Sequence, residues 1–206
     1  MSNDQPSDPL SPRKLPAQGR AAKTVDTILD AAADVLDRLG LEGYNTNYIA
    51  DRAGVSIGSL YQYFPSKDAV TAALIERGHQ RILSAISEYD HGDDWRRALE
   101  HVISVAAEHQ LSRPQLARLL DYEESRLSIS GRDGHIAREV HGVITQIVSG
   151  AAERNGQDPA AAASDVMALT RTLSDAASER GDTDMESLRR RISRAAFGYL
   201  EGDGIK

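Results

Sequence analysis

One glycine constrains this chain more than any other residue. Gly54 stands in Ala53-Gly54-Val55-Ser56, with a short apolar-periodic stretch on each side. Ahead of it, Ile49, Ala50 and Ala53 fall at i, i+1 and i+4, a narrow helical stripe that Asn45 and Thr46 are suited to cap. A glycine placed directly after such a stripe ends the helix in the left-handed conformation with no Cβ penalty. Val55 can plug the angle that follows, and Ser56 is a natural N-cap for a second helix. Pro65 ends that helix, because it pushes Phe64 towards extended geometry, and Ser66 can cap the next one. Two short helices joined by so tight a turn have the layout of a helix-turn-helix DNA reader.

The second short helix sorts by angle at about 100° per residue. Leu60, Phe64, Ile57, Ser56 and Tyr63 cluster within about 60° of one direction, the expected inward side. Gly58 and Gln62 point the opposite way, flanked by Tyr61 and Ser59. Gly58 lacks a side chain, so the helix can approach a partner closely. Gln62 can hydrogen-bond base edges, and Tyr61, Ser59 and Tyr63 can donate to phosphate oxygens. Lys67 adds a cation beside the Ser66 cap, where helix-start N–H groups already favour an anion.

Taken alone, this segment also fits a helical hairpin within a bundle. The full run is more specific. Ile49-Ala50-x-x-Ala53-Gly54-Val55-Ser56-x-Gly58-x-Leu60-Tyr61-x-Tyr63-Phe64-x-x-Lys67 closely resembles the DNA-binding domain of the tetracycline-repressor (TetR) family, over roughly residues 20–75. The resemblance implies an all-α protein of about nine helices, an N-terminal three-helix helix-turn-helix domain followed by a C-terminal helical bundle. It implies a DNA-contacting set of Thr46, Asn47, Ser56, Ile57, Gly58, Ser59, Tyr61, Gln62, Tyr63 and Lys67. It further implies a homodimer on a palindromic double-stranded operator, a small-molecule effector, no cofactor, and a bacterial cytoplasmic setting on the nucleoid.

Charge and composition are compatible with this. The 206-residue chain is 40% hydrophobic and 27% charged, enough to bury a sizeable core, and carries a net charge of −7. That net charge weakens nonspecific attraction to nucleic acid. Arg13, Lys14, Arg20 and Lys23 nevertheless lie ahead of and at the start of the first helix with no acid between them, as a solvated tail or a DNA-contacting arm. The chain has no cysteine, which excludes disulfides, thiolate nucleophiles and zinc–thiolate sites and suits a reducing compartment. No apolar run approaches the ~18 residues of a membrane span, and the polar, proline-bearing N-terminus does not read as a signal peptide.

Three parts follow from the pattern. Residues 1–18, with Pro6, Pro9, Pro12 and Pro16 and no periodicity, read as a disordered tail. Residues 19–65 form the helix-turn-helix domain. Its first helix, about Arg20 to Leu39, carries the stripe Val25, Ile28, Leu29, Ala32, Val35, Leu36 and Leu39 and ends at Gly40. Residues 66–206 form the ligand-binding and dimerisation domain, with helices at about 66–89, 94–110, 113–128, 135–154, 159–180 and 184–201. Gly92, Gly131-Arg132-Asp133-Gly134 and Asn155-Gly156-Gln157-Asp158-Pro159 mark breaks, and no β-period pattern appears.

The last two helices carry stripes near heptad spacing. Either these face the chain's own core or they form an assembly surface. The resemblance tilts the reading towards a dimer, with Val166, Leu169, Leu173, Leu188, Ile192 and Tyr199 as interface residues. For an effector, the family pocket lies among helices 94–154. Trp95, His101, Gln115, Tyr122 and Gln146 are the candidates there, aromatic and neutral polar groups suited to an apolar molecule.

An enzyme reading finds little support. Glu76…His79 and Glu88…His91 have the Glu-x-x-His spacing of carboxylate-bridged metal bundles, but both fall on one helix about 18 Å apart. No metal site and no catalytic residue is expected. No nucleophile elbow or phosphate-cradling glycine loop occurs. Asp121, Glu123 and Glu124 read as a solvated acidic patch. Arg189, Arg190, Arg191 and Arg194 spread too widely around a helix to serve one groove, and salt bridges are the expected role. The competing class is a helical small-molecule carrier or enzyme that retains a helix-turn-helix head.

Overall fold

In the computed structural model, the described residues are 10, 19–88, 94–127 and 135–202. The sequence expectations for the tail, for His91 and Gly92, and for the 131–134 loop lie outside them. Among the described residues the elements are helices only: α1 (Gly19–Gly43), α2 (Thr46–Ala53), α3 (Ile57–Tyr63), α4 (Lys67–Ser87), α5 (Trp95–Ser112), α6 (Pro114–Leu127), α7 (His135–Arg154), α8 (Pro159–Glu179) and α9 (Met185–Glu201). The chain divides into two compact units. One comprises Met1–Gly78 and Leu119–Ser130, the other His79–Arg118 and Gly131–Lys206. This division does not follow the functional boundary at 65/66, because the first turns of α4 bury Ala69, Val70 and Leu74 in the first unit.

The first unit is built as its local chemistry dictates. Gly40 leaves the helical region at φ 64°, ψ −169° and kinks α1 there, so the helix proper stops where Gly40 is expected to stop it. Leu39, placed on the apolar stripe by periodicity, is instead 50% exposed: it sits at the kink, where the helix turns away from the core. Ile28, Ala32 and Leu36 of α1 are fully buried and share the interior with Tyr44, Ile49, Leu60 and Phe64. Asn45 caps α2 by accepting the Tyr48 N–H at 3.0 Å. Gly54 closes α2 at φ 67°, ψ 30°. Ser56 caps α3 by accepting the Ser59 N–H at 3.0 Å, and Ser66 caps α4 by accepting the Ala69 N–H at 3.1 Å.

The second unit packs α5, α7, α8 and α9 around one apolar core. Leu99 and Ile103 meet Ile144 and Val148, Ala162, Ala163 and Val166, and Leu188, Ile192 and Leu200. Aspartates start three of these helices: Asp94 accepts from Arg96 and Arg97 N–H, Asp158 from Ala161 N–H and Asp184 from Ser187 N–H. Pro159 occupies the first turn of α8, where its missing N–H costs nothing. The α7–α8 turn also ties down the end of α9, where Asn155 Nδ2 donates to the Leu200 carbonyl at 2.6 Å. No described helix is long and apolar enough to cross a membrane.

Candidate nucleic-acid interface

The residues expected to meet DNA gather on α2, α3 and the start of α4, within the first unit. Leu60 and Phe64 are fully buried and fasten α3 to the interior. Asn47, Gly58, Tyr61 and Gln62 are exposed, while Thr46, Ser59, Tyr63 and Lys67 are half-buried. The angular sorting is corrected at two positions. Ser56 is exposed because it is the cap and lies outside the helical turn proper. Ile57, expected on the inward side, is 38% exposed, because it opens a seven-residue helix whose inward contact is made a turn later by Leu60.

Gly58 has no internal reason to be glycine. A Cβ built there would meet only the Ser56 hydroxyl, at 3.9 Å, and its φ is not left-handed. Glycine in a helix costs about 1 kcal/mol relative to alanine, a cost that exposed Gly142 and Gly198, with equally open surroundings, also carry. Gly43 is different: a Cβ there would stand 2.4 Å from Leu39 Cβ, so its glycine is structural.

Polar groups on this surface are already oriented. Thr46 Oγ1 and the Tyr61 hydroxyl lie 3.1 Å apart, joining α2 to α3 through their side chains. The Ser56 and Ser59 hydroxyls pair at 2.8 Å. Lys67 holds its ammonium 5.5 Å from the centre of the Tyr44 ring. Arg52 and Arg77 are committed elsewhere, to Asp34 at 2.5 Å and Asp30 at 2.8 Å. Beneath Lys67, Thr71 Oγ1 is within 3.1 Å of both the Lys67 carbonyl and the Tyr44 hydroxyl. Burial pushes the Tyr44 hydroxyl up to about 12, against the opposing hydrogen bond from Thr71.

The sequence reading missed Tyr48. It is 53% exposed on α2, one residue after Asn47. Its place beside buried Ile49 on a short helix was a usable signal that it faces outward.

The assembly and effector residues fare differently. Val166, Leu188 and Ile192 are at most 1% exposed and belong to the chain's own core, which removes them as surface-forming interface residues. Leu169, Leu173 and Tyr199 remain half-buried. Tyr199 donates its hydroxyl to Asp165 at 2.5 Å, and that bond raises its pKa. An open hollow of about 460 Å³ lies at α8 and α9, lined by Leu173, Ser187, Arg190, Arg191, Arg194 and Ala195.

The arginine run is largely ion-paired, Arg189 to Glu186 at 2.9 Å, Arg190 to Glu186 at 3.5 Å and Arg191 to Asp182 at 3.2 Å. Of the effector candidates, Trp95 packs its ring against Phe197, with centroids 5.8 Å apart, and lies under Arg96. His101 Nε2 lies 2.9 Å from the Ala85 carbonyl. Gln115 and Gln146 are exposed, and Tyr122 is 57% exposed. None of the five lines the hollow.

A helix-turn-helix head followed by further helices, the only elements among the described residues, is an architecture of DNA-binding regulators. The chain matches the family described as bacterial regulatory proteins, tetR family, over residues 28–74, and the tetracyclin repressor-like C-terminal domain over residues 94–200. It belongs to the TetR family of transcriptional regulators. It is 31% identical over 81 residues to the nucleoid occlusion factor SlmA of Glaesserella parasuis, covering 39% of this chain and 40% of that protein. It is 42% identical over 59 residues to the A-factor receptor protein of Streptomyces griseus, covering 29% of this chain and 21% of the receptor. The chain thus spans less than half the length of these curated relatives. The fold is shared with the fatty acid degradation regulator FadR of Bacillus halodurans at a TM-score of 0.74 and 18% identity, over 88% of this chain and 96% of that one.

Proposed function

We propose that this regulator works as a repressor on a near-palindromic operator, as a homodimer, and is released by a small molecule held in its C-terminal part. Two copies present α3 to successive major grooves about 34–36 Å apart. Ser56, Ile57, Gly58, Ser59, Tyr61, Gln62 and Tyr63 face the bases and flanking phosphates, and Thr46, Asn47 and Lys67 hold the backbone. The observation that carries this reading is the two-sidedness of α3: Leu60 and the capping Phe64 are fully buried, while Gly58, Tyr61 and Gln62 stand exposed. Lys67 supports it, since among the described residues its ammonium rests on an aromatic face and has no carboxylate partner. Phosphate contacts of this kind supply affinity and base contacts supply specificity.

The functional division is a DNA-binding part at 19–65 and a ligand-binding and dimerisation part at 66–206. Half-buried Leu169, Leu173 and Tyr199 on α8 and α9 form the dimer face, and Trp95, His101, Gln115, Tyr122 and Gln146 are the residues to watch for the effector. The effector acts by binding the operator-free dimer better than the bound one, which shifts the population away from DNA. The protein carries out no catalysis, needs no cofactor and acts in the cytoplasm.

The test is selection of bound duplexes from a random library, followed by a salt-dependent gel shift. A palindromic site bound with a steep salt dependence supports the reading. Absence of any sequence preference, together with small-molecule turnover, would replace it with the carrier or enzyme alternative.

A further inference from the structure

One isoleucine stands exposed on the proposed DNA-reading surface. Ile57 is the first residue of α3, it is 38% exposed, and its neighbours are the Ser56 cap and the side-chain-free Gly58. Three of the large hydrophobics left exposed, Tyr48, Ile57 and Tyr61, lie on α2 and α3. Tyr61 has a hydroxyl engaged with Thr46, and Tyr48 has a hydroxyl to offer water or phosphate. Ile57 has no polar atom in its side chain. The partner from which it gains most is an apolar group.

The major groove carries one apolar group at base edges, the C5-methyl of thymine. Recognition helices meet base edges with their N-terminal residues, which is where Ile57 stands. β-Branching leaves Ile57 few χ1 choices in a helix, so its methyls are held in place before contact. Gly58, next along the chain, lets the helix approach closely enough for a methyl–methyl contact.

We infer that Ile57 is a thymine-methyl reader, and that each operator half-site carries a thymine whose C5-methyl packs against it. The inference rests on α3 being the base-reading helix and adds which base, and which atom of it, this residue selects. Gln62 and the tyrosines supply hydrogen bonds, whereas Ile57 supplies discrimination that no hydrogen bond can give, between thymine and uracil.

The experiment uses the full-length protein and the operator it selects. Each thymine is replaced in turn by deoxyuridine, which removes the methyl and leaves every base-pairing and groove hydrogen bond intact. Wild type should lose about three- to tenfold in affinity at one position in each half-site, the scale of one buried methyl. Ile57→Ala should show no loss on the same replacement there, while responding as wild type does elsewhere. Ile57→Val, which keeps the branch, should retain the wild-type response. Circular dichroism and the thermal midpoint verify that the variants fold, as expected for an exposed position. Tight operator binding that ignores deoxyuridine everywhere would overturn the inference, and so would an Ile57→Ala variant that keeps the wild-type response. Failure to select any operator would instead remove the reading of α3 itself, and this inference with it.

Discussion

Arg126 grips Glu123 with two hydrogen bonds, from Nε to Oε1 at 3.0 Å and from Nη2 to Oε2 at 2.7 Å. The same guanidinium reaches Asp68, near the start of α4, at 2.5 Å. Glu123 is 3% exposed, so the acidic patch expected to be solvated has one of its members inside the first unit. The two carboxylates raise the already high pKa of Arg126, Glu123 first and Asp68 next.

The consequence for stability is asymmetric. Arg126→Leu strands a buried carboxylate and should cost about 2–4 kcal/mol, whereas Glu123→Leu should cost less, because Arg126 is partly exposed and keeps Asp68. The double change should recover much of the larger loss. Urea unfolding of the four proteins of the cycle measures this, and strictly additive losses would show that the pair is not coupled.

At Gly58 folding and binding should part company. Gly58→Ala should stabilise the protein by up to about 1 kcal/mol, since helix propensity rises and the new Cβ has room. The same change should weaken operator binding, and Gly58→Glu should abolish it with helical content unchanged. Thermal denaturation alongside a gel shift checks both halves, and normal affinity in Gly58→Glu would put the DNA on another face.

Lys67 and Gln62 should separate affinity from specificity. Lys67→Ala should weaken binding to all sequences and lower the salt slope by about one. Gln62→Ala should relax preference at one or two base pairs, by roughly 1–3 kcal/mol if its contact is bidentate. An equal loss at every site would make Gln62 a positioning residue.

Two residues on the terminal helices distinguish core from interface. Ile192 is fully buried, so Ile192→Glu should unfold the second unit. Leu173 is half-buried at the edge of the hollow, so Leu173→Glu should leave a folded monomer. Sedimentation and circular dichroism read the two outcomes, and a dimeric Leu173→Glu protein would move the interface elsewhere.

Alkaline pH should weaken the first unit through Tyr44. Its hydroxyl is raised from 10.0 to about 12 by burial, so the folded state holds the proton after the unfolded chain has lost it. The contribution is intact below pH 10 and is lost as pH rises through about 12. The difference in unfolding free energy between wild type and Tyr44→Phe, followed across that range, isolates it.

The sequence was most legible where local chemistry decides the outcome. Gly54, Ser56, Pro65 and Asp158 each determine a helix end through their own backbone or side chain, and the helix boundaries fall within a few residues of expectation. Periodicity was less reliable at helix ends. Leu39 and Ile57 have the right spacing for burial, but one lies at a kink and the other in a first turn that is only partly covered. Heptad spacing on α8 and α9 reads the same for a partner within the chain as for one outside it, so Val166, Leu188 and Ile192 could not be told from interface residues. The effector candidates were the least legible, because a pocket is assembled from side chains on several helices and no single helix encodes it.

The Thr46–Tyr61 hydrogen bond joins the two short helices on the exposed face proposed to meet DNA. A tyrosine already tethered in this way has given up most of its rotamer entropy before any operator arrives. On binding, its hydroxyl exchanges or shares a partner instead of being captured from disorder. The reading head is therefore preorganised. Discrimination between operators should then appear chiefly in how long a complex survives, with little variation in how fast it forms.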